Sequence, residues 1–144
     1  MDNWQLFVDP RFQVKFKYPV TTPQGHIIER EESQSNDFTR VHLISPNSRE
    51  VYFEVRRYHD MLPQEEYRRH REYLEKQFES HGFASTGLTE RTLGVSTAYE
   101  YSFQWVKKRR VAILVLREQA IYRIIYDPNS AVNVQILSTI ELIV

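Results

Sequence analysis

The stretch Val111-Ala112-Ile113-Leu114-Val115-Leu116 is the longest uninterrupted apolar run in the sequence. A strand of an antiparallel sheet that leaves one face in water alternates apolar with polar residues. This run does not alternate, so it predicts a strand whose two faces are both covered by protein. Residues 121–126 are apolar or aromatic except for Arg123, and they predict a second strand of the same kind. A run of six residues is too short to cross a membrane as a helix.

Further strands are predicted toward the C-terminal end. The regions 85–92, 97–106, 110–117 and 120–126 are separated by short links. Short links between consecutive strands are typical of antiparallel neighbours, so these regions predict a meander.

The N-terminal third also predicts strands. Apolar residues alternate with polar ones from Phe12 to Tyr18, after a turn at Asp9-Pro10, which predicts a first β region over residues 4–18. Residues 41–45 and 51–58 predict two strands joined by a turn at 46–48. The polar residues 19–37 predict a loop or a weak hairpin.

Two helices are predicted. Residues 63–81 begin with Pro63, carry apolar residues at helical spacing and are followed by Gly82, a residue that typically ends helices. Residues 129–139 follow Asp127-Pro128, which predicts an N-cap and a first turn. One helix on each side would cover both faces of the strand at 111–116. The sequence therefore predicts a single domain over residues 1–144 of the α+β class, an α/β/α sandwich around a largely antiparallel sheet. The rival is an NTF2-like α+β fold, which normally opens with helices.

The order of these elements resembles that of PsbP-like domains. Residues 7–19 hold a turn and then an aromatic-rich strand that ends in Tyr18-Pro19, and residues 93–99 enter a long hairpin. Residues 121–126 follow, with a terminal helix that ends near Ile140. The family contains the photosystem II extrinsic subunit PsbP and a related Ran-binding nuclear transport factor. The resemblance implies the α/β/α fold and a non-enzymatic, partner-binding habit, but not one function, and no functional residue is carried over. Photosynthetic members carry export or lipoprotein signals that this sequence lacks, so a photosystem role is not expected.

The composition excludes several classes of function. Lys plus Arg and Asp plus Glu both number 19, so the whole-protein charge gives no attraction to nucleic acid or to an anionic membrane. The absence of cysteine excludes thiolate catalysis and Cys-ligated metals, and the 4 glycines leave little material for phosphate-binding loops. We expect no cofactor. With no signal peptide in the sequence, we expect a cytoplasmic location, unless the chain is a domain of a longer exported or anchored protein.

The candidate catalytic residues are weak. Gly94-Val95-Ser96-Thr97-Ala98 differs by one residue from a nucleophile elbow, but a strand is predicted after it where the elbow needs a helix. His59-Asp60 are adjacent at a predicted strand-to-helix junction, and Glu54 and Glu100 are strand carboxylates whose separation the sequence does not show. The sequence favours a non-enzymatic protein. The alternative is a small-molecule-binding or hydrolase- or isomerase-like protein with an NTF2-like pocket that uses His59, Asp60 or Glu100.

The sharpest charge feature is the basic run Lys107-Lys108-Arg109-Arg110 at a predicted hairpin tip. Phe103 and Trp105 precede it on one strand face, where they either pack in the core or offer an aromatic surface. Arg outnumbers Lys by 14 to 5, and Tyr and Arg dominate protein interface hot spots. These features predict a protein-binding or scaffold module whose partner has an acidic surface. A solvated turn is the plainer interpretation, and nucleic acid is the less favoured partner.

The C-terminal residues 140–144 are apolar except for Glu141. Such a tail is costly to leave in water, so it either packs as a short terminal strand or covers a neighbouring chain. We expect packing within the chain, and a monomer or a weak homodimer.

Overall fold

The protein is built almost entirely from antiparallel β-strands. The computed structural model describes residues 3–36, 38–46, 51–58, 89–93, 96–105, 108–116 and 121–142, and 66% of these residues lie in strands. The elements in chain order are β1 Trp4–Asp9, β2 Val14–Pro19, β3 Glu29–Gln34, β4 Phe38–Ile44, β5 Tyr52–Tyr58, β6 Thr89–Leu93, β7 Ser96–Trp105, β8 Lys108–Leu116, β9 Ile121–Tyr126, the helix α1 Ala131–Ser138, and β10 Glu141–Leu142.

The strands form two sheets. Seven of them make the large sheet, in the order β3-β4-β5-β9-β8-β7-β6, and three make the small sheet, in the order β1-β2-β10. Strands β6 to β9 follow one another as antiparallel neighbours, which confirms the predicted meander. Strand β9 then pairs with β5, which joins the meander to the N-terminal strands.

The apolar strand β8 is covered on both faces, as its sequence predicts. Val111, Ile113 and Val115 lie on the face of the large sheet that packs against the small sheet, which we call the inner face. Ala112 and Leu114 lie on the opposite, outer face, in a second cluster with aromatic residues of β7. All five side chains are buried.

The predicted α/β/α sandwich is wrong for the residues that the structure describes. The layer on the inner face is the small sheet together with α1, so Phe7, Val14 and Phe16 supply most of its apolar surface. An unalternating strand requires cover on both faces, but it does not specify whether a helix or another sheet provides that cover. The predicted helix 63–81 lies outside the described residues.

The second predicted helix is present but begins later than expected. Ser130, not Asp127, is the N-cap of α1, because its side chain accepts a hydrogen bond from the backbone N–H of Asn133. The Asp127 carboxylate instead accepts from the backbone N–H of Asn129 at 2.9 Å, in the turn before the helix.

Three further predictions concern the N-terminal strand region, the polar residues 19–37 and the C-terminal tail. The strand predicted from Phe12 to Tyr18 is confirmed from Val14 onward as the core strand of the small sheet, and Phe12 lies in the turn before it. Residues 19–37, predicted as a loop or a weak hairpin, contain the strand β3, which pairs antiparallel with β4 although all six of its residues are exposed. The described part of the tail, residues 140–142, packs within the chain as predicted, with Ile140 buried and β10 paired with β2.

Candidate binding groove

A groove of about 400 Å³ lies where the small sheet approaches the edge of the large sheet. Its apolar floor consists of the buried residues Phe7, Phe12 and Val41. Polar and charged residues from the turn after β1 and from β3 and β4 complete its lining: Asp9, Arg11, Glu32, Ser33, Gln34, Thr39 and Arg40. The segment 7–12 and the β3–β4 hairpin, which are distant in sequence, therefore meet around one cavity.

The turn that forms one wall is held by its own hydrogen bonds. Asp9 Oδ1 accepts from the backbone N–H groups of Arg11 at 2.9 Å and Phe12 at 3.3 Å. The backbone N–H of Gln13 donates to the carbonyl of Asp9 at 2.8 Å, with Gln13 in the left-handed region at φ 60°. The hydroxyl of Tyr122 donates to the carbonyl of Phe12 at 3.1 Å, so the floor is anchored to the large sheet.

The other wall is β3, which is an edge strand of the large sheet among the strands that the structure describes. The backbone N–H of Ser35 donates to the carbonyl of Phe38, and the β3–β4 register continues from that pair. Because hydrogen-bonded pairs alternate along an antiparallel ladder, Ser33 and Glu31 also face β4. The backbone N–H groups of Arg30, Glu32 and Gln34 therefore point away from the sheet.

Arg11 and Arg40 line the groove together with the carboxylates Asp9 and Glu32, and Arg30 lies beside it. The side chain of Arg11 is 90% exposed, and its only ion pair among the described residues is a 3.9 Å contact with Asp9. Arg30 lies over the Phe7 ring at 5.3 Å and donates to the Tyr18 hydroxyl at 3.2 Å. Its guanidinium is also 3.9 Å from Glu32, which partly neutralises it.

Arg57 is a further cation next to the groove. Strand alternation places it on the inner face with Phe53 and Val55, and the register puts it between Thr39 and Tyr122. Its Nε is buried without a hydrogen-bond partner, and none of the described carboxylates forms an ion pair with it. A buried donor without a partner is uncommon and calls for an explanation.

A second polar group lies on the outer face, around Glu54. This carboxylate is buried, accepts hydrogen bonds from Arg56 and from the Tyr52 hydroxyl at 3.3 Å, and lies 4.0 Å from Arg123. His42 is its cross-strand neighbour. Because the oxygens of Glu54 are engaged and closed to solvent, this cluster is suited to holding the strands together and not to acid–base chemistry on a substrate.

Burial dominates the protonation behaviour of this cluster. It lowers the pKa of His42 from its ordinary value, and the nearby Glu54 carboxylate only partly opposes that effect. Burial and the proximity of Glu54 raise the pKa of Tyr52, and burial raises that of Tyr101. The neutral forms of all three side chains are therefore favoured.

The structure divides the predicted partner-binding segment. Arg110 is buried and pairs with Asp127 at 3.2 Å, and Phe103 is buried in the outer cluster beside Tyr101. Lys108 is half-buried and Arg109 is exposed. Lys107 and the side chain of Trp105 lie outside the described part of the protein.

The weak catalytic candidates that the structure describes do not come together. Glu54 lies on the outer face, whereas Glu100 lies on the inner face and pairs with Arg91 at 3.3 Å. Ser96 is the first residue of β7, so a strand follows it, as predicted, and not the helix that an elbow needs. His59 and Asp60 lie outside the described residues.

Sequence reasoning missed the groove. Arg11, Glu32 and Arg57 belong to no motif, and nothing in the local pattern shows that the turn at 9–13 meets β3. Only the strand register, which joins residues far apart in sequence, brings these side chains together.

Comparisons with known proteins add no family to this description. No protein-family model matches the chain, and a search of curated proteins finds no match. Among the described residues, no helix is long and apolar enough to cross a membrane.

Proposed function

We propose that this domain is a non-enzymatic protein-binding module that takes an extended, acidic segment of a partner protein into the groove. The observation that carries the proposal is the groove itself, which runs beside an open sheet edge. A peptide that adds to a sheet edge gains affinity from backbone hydrogen bonds and specificity from pockets for alternate side chains. Strand β3 offers outward backbone N–H groups for such hydrogen bonds, and the floor formed by Phe7, Phe12 and Val41 offers an apolar pocket for side chains.

Two arginines at the groove favour an acidic segment, and they oppose the carboxylates Asp9 and Glu32 in the lining. Arg11 is almost fully exposed, and Arg57 has a buried donor without a partner. A carboxylate on the incoming segment would pair with the guanidinium of Arg57, whose Nε has no hydrogen-bond partner, and charge-assisted hydrogen bonds of this kind are among the strong ones. The exposed Arg109 and the half-buried Lys108 would steer the same partner from a distance, so association should weaken with salt.

The proposal is tested with three fluorescein-labelled pools of short random peptides, which are matched in apolar content and are acidic, neutral or basic. Fluorescence anisotropy is expected to show the tightest binding for the acidic pool. Arg11→Glu and Arg57→Met should each weaken binding of that pool. If the neutral or basic pool binds as tightly as the acidic one, the acidic partner is excluded.

A matched pair of variants tests the sheet edge itself. Glu32→Pro removes the side chain and an N–H that points away from β4, whereas Glu32→Ala removes the side chain alone. An edge strand tolerates proline where its N–H faces outward. We expect the proline variant to bind about threefold to tenfold more weakly than the alanine variant, the loss of one hydrogen bond of about 0.5–1.5 kcal/mol. Equal affinities would exclude strand addition at β3.

A further inference from the structure

The first strand of the small sheet has an open edge with apolar side chains in water. Among the described strands, β1 pairs only with β2. Leu6 is 57% exposed and Val8 is 47% exposed, although neighbouring Phe7 is buried. An exposed apolar edge strand is a template for pairing with another chain, and proteins usually protect such edges with charged residues or proline. No charged residue or proline lies between Trp4 and Val8.

The hydrogen-bond pattern shows which backbone groups of this edge are available. The backbone N–H of Val20 donates to the carbonyl of Asn3 at 2.9 Å, and the β1–β2 register continues from that pair. By alternation, Gln5 and Phe7 also face β2. The N–H and C=O groups of Trp4, Leu6 and Val8 therefore point away from the sheet, toward any strand that adds to it.

We propose that β1 pairs with β1 of a second copy of this chain, antiparallel and centred on Leu6. That register sets Leu6 opposite the same residue of the second copy, and Trp4 opposite its Val8. All the outward backbone groups of both strands then meet, and the two small sheets become one sheet of six strands. This inference concerns a surface other than the groove and does not depend on the proposed function.

A second copy fits this edge better than an unrelated strand. The pattern from Trp4 to Val8 is self-complementary, since the residues with outward backbone groups are those whose apolar side chains share one face. Lys15 on β2 is neutralised by Glu141 at 2.9 Å. The Lys17 residues of the two copies would be three strand spacings apart, about 14 Å, where salt screens their repulsion. The chain's zero net charge adds no general repulsion between copies.

Single cysteines give the decisive test, because the chain contains no cysteine of its own. In the proposed register the two Leu6 residues form a hydrogen-bonded pair with Cα atoms about 5.5 Å apart, within disulfide range. The two Gln5 residues would be about 8 Å apart, outside that range. Under mild oxidation, Leu6→Cys should form a covalent dimer and Gln5→Cys, also exposed, should not. Equal cross-linking of both variants, or of neither, would overturn the proposal.

Sedimentation of uncrosslinked protein provides the second arm. We expect the unmodified chain to be a dimer, and Leu6→Ala, which keeps the outward N–H, to retain more dimer than Leu6→Pro, which removes it. Circular dichroism checks that both variants remain folded. A monomeric unmodified chain up to its solubility limit, or a dimer that persists in folded Leu6→Pro, would exclude this interface.

Discussion

The guanidinium of Arg110 lies 3.2 Å from the carboxylate of Asp127, and both side chains are almost closed to solvent. The same guanidinium lies over the Tyr52 ring, 4.7 Å from its centroid. One end of the basic run 107–110 is therefore an internal connection between β8 and the turn before α1. A charge run in sequence does not by itself define a surface.

Removing Arg110 should destabilise the fold. In Arg110→Ala the buried Asp127 loses its partner, and breaking a buried ion pair by removing one member costs about 3–5 kcal/mol. Arg109→Ala, at the exposed neighbouring position, should change the free energy of unfolding by less than about 0.5 kcal/mol. Urea denaturation of both variants measures the difference. Similar small losses in the two variants would contradict the buried pairing.

Glu54 should be worth more to stability than Glu100. In Glu54→Gln the half-buried Arg56 and Arg123 lose the buried carboxylate that they share, so we expect a loss of about 1–3 kcal/mol. Glu100→Gln removes a partly exposed pair with Arg91, for which about 1 kcal/mol or less is expected. Chemical denaturation of the two variants at neutral pH compares them. If they are equally stable, Glu54 does not hold the outer face together.

Because of His42, the free energy of unfolding should decrease as the pH falls. Burial lowers the pKa of His42 in the folded state below the ordinary value of 6.5. The carboxylates of Glu54 and Glu31 raise this pKa, whereas Arg40 and Arg56 lower it further. Below pH 6.5 the unfolded chain therefore binds a proton that the folded protein resists. Each pH unit in that window costs up to about 1.4 kcal/mol.

The His42→Gln variant isolates this contribution. Between about pH 7.5 and pH 5.5 it should lose less unfolding free energy than the unmodified chain, because the linked proton is gone. Denaturation curves across that range provide the measurement. A variant that loses stability as steeply as the unmodified chain would show that His42 is not responsible.

Gln13 occupies a backbone conformation that favours glycine, with φ at 60°. The left-handed region costs a non-glycine residue about 1–2 kcal/mol. Glycine avoids this cost, but it loses more conformational entropy on folding, which offsets part of the gain. Gln13→Gly should therefore raise the free energy of unfolding by about 0.5–1 kcal/mol. Gln13→Ala keeps a Cβ and should bring no gain. Thermal unfolding of the pair tests the strain in the groove wall, and a more stable alanine variant would contradict it.

Sequence reasoning recovered the strands that carry their own burial pattern. The unalternating run at 111–116 predicted a strand covered on both faces, which is confirmed. The alternation from Phe12 to Tyr18 predicted a half-buried strand, which is confirmed from Val14 onward. It did not recover β3, whose residues are all polar and exposed. That strand exists because its backbone forms hydrogen bonds with β4, and backbone pairing alone produces no hydrophobic pattern in the sequence.

The candidate sites show the same division. Local sequence identified a basic run, but the register pairs Arg110 with Phe103 across β7 and β8 and brings the guanidinium to Asp127. It also marked Glu54 and Glu100 as strand carboxylates, without showing that they lie on opposite faces of the sheet. The groove joins residues 9–12, 32–34 and 39–41, which no local pattern connects.

By itself, the sequence determined where apolar surface has to be buried and that the strands from β6 to β9 form a meander. Tertiary structure alone determined that a small sheet and a short helix cover the inner face, which arginines are buried, and which sheet edges remain open. The physical reason is that burial along a strand follows from its own residues with a period of two. The partner that covers a face, neutralises a charge or fills an edge comes from elsewhere in the chain, and only strand register specifies which residues those are.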